Sequence, residues 1–537
     1  MFSSTRTIGA LAAVAIAGVL PTTSTAADGL QVTAVQAPAT ALVGGPFTLG
    51  LDVSGAASAS TLDVTRTDTG AVVATLAVPA GATHVSGSIT LTEAGRITLR
   101  VGDATTTVEV SDVAVDPTSI IAPSLVGYGS QFNHSLFLSR LNTLAPTDGA
   151  SLQQKVTALG PRIVRIFFPV QALTDWQRLG SFQQVVRMAQ AAGATIEVTW
   201  SGGYANIDSN MSRFARALAV LVDSGVTNLR WVSLLNEPNS DAWDPPVPLD
   251  TYERMYRTLD VALRGQGIRD QVHLMGGDLV QTNQTVWLTY MAQHMSDVLD
   301  AYSIHIYWDY WDTAKLESRL NEVKAIDLAT GPRPIYITEF GVRGIRNAFG
   351  VTADQPGIWG DLATPMAETN VSAFQLAWFN ILASRLGYPA TISWDAFNAK
   401  YDNGTQDFSC IGPAPDFQLR PCYWLLRLFT ETTEPGWRVV GVPGDSGTRL
   451  VTAYAGPYGE FTVIGLDRAG GQRNDASGPL VSYSIGGLPP QTTFRLVLWN
   501  VDGGGELSNS PSVTTDALGV ATFAVPQHAV FALTNLS

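Results

Sequence analysis

Cysteine and histidine are scarce, with two cysteines and six histidines in 537 residues. The stretch that holds the two cysteines does not look like a metal site. Cys410 and Cys422 lie in a stretch broken by Gly412, Pro413, Pro415 and Pro421; in an exported chain they are expected to form one disulfide closing a short loop. Lysine is confined to Lys155, Lys315, Lys324 and Lys400, the arginines are scattered, and the formal net charge is −14. A chain without a basic patch is not expected to bind nucleic acid. Beyond the amino terminus no apolar run qualifies as a membrane span of about 20 residues.

What is present begins with Arg6, an apolar stretch from Ile8 to Leu20, Pro21 and the small residues Ser24, Thr25, Ala26 and Ala27. Residues 1–27 read as a signal peptide cleaved near Ala26 or Ala27, so a secreted, extracellular protein with no membrane attachment after cleavage is expected. At 45% hydrophobic and 15% charged, the remainder is globular and long enough for several domains.

Residues 28–116 alternate Thr, Val and Ala between glycine-containing turns, as in Thr61-Leu-Asp-Val-Thr-Arg-Thr. This predicts an immunoglobulin-like β-sandwich. From 117 to 433 apolar strands alternate with amphipathic helices, the pattern of β/α units. Strands are expected near Leu125–Ser130, Ile163–Phe168, Thr195–Trp200, Leu229–Leu235, Val272–Gly276, Tyr302–Ile306, Pro334–Thr338 and Thr391–Trp394. Their number predicts a (β/α)8 TIM barrel. An open doubly wound sheet is the competing fold, but no glycine-rich phosphate loop follows the first strand. Alternation returns over 434–537, predicting a second β-sandwich. The fold class is therefore multidomain, a central barrel flanked by two β-sandwiches.

Two glutamates carry the chemistry. Glu237, in Trp-Val-Ser-Leu-Leu-Asn-Glu-Pro, and Glu339, in Ile-Tyr-Ile-Thr-Glu-Phe-Gly, each follow a short apolar run. Strand ends in a barrel deliver side chains to its open rim. A carboxylate there costs stability unless something uses it. Glycosidic cleavage needs one group to protonate the departing oxygen and another to attack or stabilise the anomeric carbon, so two acids suffice. No metal ion or organic cofactor is expected.

With Arg165 in the second strand, Asn236 beside Glu237, Ser303-Ile-His305-Ile-Tyr307-Trp308 in the sixth and Trp394 ending the eighth, the region from Ser124 to Phe429 resembles clan A of the retaining glycoside hydrolases. That clan comprises (β/α)8 enzymes including many cellulases, mannanases, xylosidases and β-glucosidases. The resemblance implies that Glu237 is the acid/base, Asn236 a donor to the sugar 2-hydroxyl and Glu339 the nucleophile. It also makes Arg165, His305, Tyr307 and Trp394 site residues. A histidine found just after strand three in some families of the clan is replaced here by Trp200-Ser-Gly-Gly-Tyr204, so the resemblance does not select a family.

A nucleophile must stay ionised, so Glu339 needs donors such as the Tyr307 hydroxyl and the Arg165 guanidinium. Trp243, Trp308, Tyr310, Trp311 and Trp359 crowd the loops of the same rim, where rings stack on sugars and Asp309 and Asp312 can accept hydroxyl hydrogen bonds. The segment from Arg343 to Thr369 is expected to shape the cleft. The function expected is that of a monomeric retaining β-glycoside hydrolase, endo-acting on a β-glucan or related glycan. Its alternatives are an exo-acting β-glycosidase, a transglycosylase on short glycosides, and a catalytically idle carbohydrate-binding cell-surface protein.

Overall fold

The computed structural model describes residues 29–145, 147–343, 366–397, 400–401, 404–405, 408–445, 448–469, 478–503 and 505–536. The segment expected to be a signal peptide, Trp359 and most of the stretch from Arg343 to Thr369 lie outside them. Two compact units divide the chain at Val110/Ser111. In the first, a three-stranded sheet (Gln31–Gln36, Pro46–Ser54, His84–Thr90) and a five-stranded sheet (Thr40–Leu42, Ala104–Ser111, Gly95–Val101, Ser60–Arg66, Val72–Val78) share one core. Alternate residues such as Leu49, Leu51, Val64, Leu99, Val101 and Val108 fill it, as the period of two requires.

In the second unit eight parallel strands among the described residues close a barrel, in chain order. They are Gly127–Phe132, Ile163–Phe168, Thr195–Trp200, Leu229–Leu234, His273–Leu279, Ala301–Asp309, Ile335–Arg343 and Ala390–Ser393. The first pairs with the eighth through Gly127 and Ala390, which completes the ring. Strand six and strand seven each run several residues further than the apolar pattern predicted, and strand five reaches Leu279 rather than Gly276. Within these extensions lie Tyr307, Glu339 and Asp278, which the site uses.

Between strands lie helices with one apolar face. In Ile207–Asp223 the buried Met211, Phe214, Ala215, Leu218 and Ala219 recur at helical spacing. The ends follow ordinary chemistry: the Asp175 carboxylate accepts from the N–H groups of Gln177 and Arg178, Gly160 closes the first helix in the left-handed region, and Pro421 opens Pro421–Thr432. Cys410 and Cys422 form a disulfide with their Cα atoms 5.3 Å apart.

The chain ends in a nine-stranded sheet whose order places Val113–Ala122 between Arg438–Asp445 and Leu480–Gly486. An expected boundary at 116/117 therefore cuts a strand. Val113 and Val115 continue the alternation of the preceding strands, and sequence period alone does not say which sheet a strand joins. One face of the sheet, with Val439, Tyr454, Ile464 and Trp499, belongs to the barrel's own hydrophobic cluster; the other, with Val440, Ala453, Val463 and Leu498, forms a separate core. Tyr454 reaches Ser384 in helix Asn370–Arg385 at 3.0 Å.

Candidate active site

Strand alternation builds the site as layers along the barrel. At the base Ile163, Met275, Ala301, Tyr336, Ala390 and Ile392 pack together, with Trp231 against them. A few residues further along the same strands, Arg165, Glu197, Ser233, Asp278, Ser303 and Thr338 are buried. Above these sit His305, Tyr307, Glu237 and Glu339. At the rim Phe167, Trp394 and Phe408 form an apolar cluster that Tyr307 touches, with Trp394 5.9 Å from Phe167.

One break in strand register and one tight turn aim the acids inward. Ile304 pairs with Ile337 but His305 with Glu339, so Thr338 is an extra residue. A bulge of this kind lets successive residues turn to one face: Thr338 Oγ1 donates to Asp278 at 2.6 Å, and Glu339 Oε2 accepts from Arg165 Nη1 at 2.7 Å. Glu339 thus lies inside its strand, not beyond its end. Glu237 stands in a tight turn after strand four, where Leu235 and Glu237 have φ of 67° and 50°. Such conformations are strained for non-glycine residues and concentrate at functional sites. The turn is braced by the Ser240 N–H and the Trp243 indole N–H, both donating to the Glu237 carbonyl at 2.9 and 3.0 Å.

Arg165 is the hub. It is fully buried, and it donates to Glu339, to Asn236 Oδ1 at 2.8 Å, to Asp278 Oδ2 at 2.7 Å and to Thr199 Oγ1 at 2.9 Å. Burial opposes its charge, but Asp278, Glu339 and Glu197 outweigh that and hold the guanidinium above its ordinary value. Tyr307 donates to the other oxygen of Glu339 at 2.7 Å. Burial and the neighbouring Glu339 charge push the Tyr307 phenol well up, which keeps it a donor. His305 Nδ1 lies 3.1 Å from Glu237 Oε1 and 3.8 Å from Glu339 Oε2. Burial works against a charged imidazole here, yet Glu339, Asp278 and Glu237 raise it to about 9.

Beneath this layer Glu197 and Asp278 behave oppositely. Burial and the charge of Asp278 push the Glu197 carboxyl well up. Asp278 is buried too, but the guanidinium of Arg165 and the imidazole of His305 hold it below the usual carboxylate range. Distance decides between them: Arg165 lies 2.7 Å from Asp278 and 3.8 Å from Glu197. Neither residue has a sequence motif. Glu197 reads as the polar face of a strand, and Asp278 lies past the Gly276-Gly277 pair at which strand five was expected to end.

Arg165, Asn236, His305, Tyr307, Glu237 and Glu339 are brought together. Trp308 is not: it is fully buried, its indole N–H donates to Gln375 at 2.8 Å, and its ring stacks on Phe379 at 5.0 Å. Alternation explains this correction, because with His305 and Tyr307 serving the site Trp308 must face the helices. Tyr310 is buried, Asp309 pairs with Arg343 at 2.9 Å, and Asp312 caps the helix Thr313–Lys324. Their expected contacts with sugar are thus replaced by structural ones. Trp243 is half-buried and spends its N–H on the Glu237 turn.

One ligand atom each from Glu237, His305 and Glu339 lies within 4.8 Å of the others, the only group among the described residues spaced to hold a metal ion. Both oxygens of Glu339 already accept from Arg165 and Tyr307. The donor set therefore suits a hydrogen-bonded carboxylate pair.

Residues 222–385 match the family model described as glycosyl hydrolase catalytic core, a span containing both glutamates. No curated protein sequence matches the chain. Similar solved structures include a glycoside hydrolase family 30 subfamily 8 xylanase from Clostridium acetobutylicum, 13% identical, covering 79% of this chain and 99% of that one at a TM-score of 0.55. The catalytic domain of a family 30 xylanase C from Talaromyces cellulolyticus is 12% identical, covering 79% and 99% at 0.58. A glucosidase from Croceicoccus marinus is 13% identical, covering 79% and 98% at 0.57. The glycosyl hydrolase catalytic-core match thus lies across an eight-stranded parallel barrel, the fold that this chain shares with these glycoside hydrolases.

Proposed function

We propose that the protein hydrolyses a β-linked oligo- or polysaccharide with retention of anomeric configuration, Glu339 acting as nucleophile and Glu237 as acid/base. The observation that carries this reading is the spacing of the two carboxylates, with an oxygen of each within 4.8 Å. Retaining sites hold their carboxyls about 5 to 5.5 Å apart, whereas inverting sites need roughly 6.5 to 9.5 Å for an intervening water. In the first step a Glu339 oxygen bonds to the anomeric carbon while Glu237 gives its proton to the departing oxygen. In the second, Glu237 takes a proton from water, which attacks the same carbon and releases Glu339. Arg165 and Tyr307 donate to the two oxygens of Glu339, before attack and again as it leaves.

Endo action on a β-glucan or related glycan is the preferred mode, and the xylanases among the similar structures make xylan a second candidate. Export through residues 1–27 belongs to the same reading. A panel of purified polysaccharides with product-size analysis tests substrate and mode together. On the substrate found, Glu339→Ala should lose turnover by at least about 10⁴-fold while azide restores part of it as the inverted glycosyl azide. Undiminished hydrolysis by that variant would remove Glu339 from the mechanism.

A further inference from the structure

Below the two glutamates lies one side chain that touches neither of them and yet engages both of their cationic partners. Asp278 is fully buried. Its Oδ2 accepts from Arg165 at 2.7 Å and Ser233 at 3.0 Å; its Oδ1 accepts from Ser303 at 2.8 Å and Thr338 at 2.6 Å, and lies 3.6 Å from His305 Nε2. We propose that Asp278 is a positioning residue of the glycosidase reaction, the shared anion that orients Arg165 toward Glu339 and Asn236 and His305 toward Glu237; this rests on those glutamates carrying the chemistry.

The backbone is built for that placement. Strand five shifts register against strand six between Gly276 and Leu279. Within the shift Gly277 has φ of 135°, and a Cβ there would stand 2.1 Å from the Ser303 carbonyl oxygen, so only glycine fits. Asp278 follows at φ 53°, and its N–H donates to Ser303 Oγ at 2.7 Å. A left-handed aspartate inside a barrel strand is strained and persists where its surroundings over-determine it. Here four side-chain donors from strands two, four, six and seven do so.

The charges fix the sign of the effect. His305 faces Glu237 from the turn after strand four, Glu339 from strand seven and Asp278 from strand five, while Arg165 of strand two and Glu197 of strand three act on it through charge. Removing the Asp278 charge leaves Arg165 with fewer anions and lowers the pH at which His305 loses its proton. Arg165 and His305 are then free to shift against the two glutamates. A displacement near 1 Å costs on the order of 100-fold in rate.

The test is Asp278→Asn beside wild type and Glu339→Ala, on an aryl β-glycoside that wild type hydrolyses. Expected for Asp278→Asn are a fall in kcat of about 100-fold, KM within about threefold, and an alkaline limb of kcat/KM moved to lower pH. Wild-type kcat and pH profile in Asp278→Asn, with turnover lost in Glu339→Ala, overturn the role of Asp278 alone. Equal turnover by wild type and Glu339→Ala overturns the underlying reading and the proposal with it. If circular dichroism shows Asp278→Asn unfolded, Thr338→Val decides, because it removes one donor and keeps the charge: kcat lower by about threefold or more at unchanged KM supports the proposal, and an unchanged kcat contradicts it.

Discussion

The base and the middle of the barrel interior are made by the same strands to opposite ends. At the base Ile163, Met275, Ala301, Tyr336 and Ile392 meet by apolar contact alone. A little further along, Arg165, Glu197, Asp278 and His305 occupy equally buried positions. Apolar packing there would be more stable, since taking charges from water costs several kcal/mol each even when they are paired. The molecule thereby separates its tasks: the base supplies stability, and the middle layer gives up part of it to hold two glutamates in one geometry.

Mutations can break that division from either side. The largest effect is expected above the middle layer. Glu237→Gln should cut hydrolysis of glycosides with poor leaving groups by about 10³-fold, while activated aryl glycosides still form the intermediate, which then breaks down slowly. Equal losses on good and poor leaving groups would contradict a proton-donor role. At the base the consequence is reversed: Ile392→Ala, at a fully buried position, should cost about 2–5 kcal/mol in denaturant unfolding and leave the kcat of the folded protein within about threefold. A catalytic loss exceeding the stability loss would show that the two layers are not separate.

The smallest effect concerns pH. His305 is raised to about 9 and burial pushes Asp395 up to about 7, while Glu197 moves in the same direction. All three bind protons more tightly folded than unfolded, where His titrates near 6.5 and carboxyls near 4. Their stabilisation is complete below those unfolded values and is lost as pH rises through the folded ones. The unfolding midpoint should therefore decline from about pH 4, where the carboxyls begin to contribute, to about pH 9, where His305 is spent. Glu197→Gln, which removes the charged form, should flatten the decline, and a midpoint that rises with pH would contradict the assignment.

Much of the barrel is legible in the sequence. Apolar runs such as Val164-Arg165-Ile-Phe-Phe and the helical spacing from Met211 to Ala219 imply β/α units, and the Asn-Glu-Pro turn with the glutamate of strand seven marks the rim. Trp308 was also legible in principle, because strand parity sets it opposite His305 and Tyr307. Asp278 and Glu197 were not. A bulge adds a residue without a reliable sequence signature, so the parity argument fails beyond Gly276 and again at Thr338. Glu197, between Ile196 and Val198, looks like an exposed polar position until barrel closure turns that face inward. The strand Val113–Ala122 escaped for a related reason, since pairing partners distant in sequence leave no mark on local periodicity.

The stereochemistry of the first product tests the roles of Glu237 and Glu339 most directly. Proton NMR of a β-glycoside or β-glycan digest, read within the first turnovers before mutarotation, should show the β-anomer appearing first, as double displacement at Glu339 requires. Initial release of the α-anomer would mean a single displacement by water, and would contradict the roles given to Glu237 and Glu339.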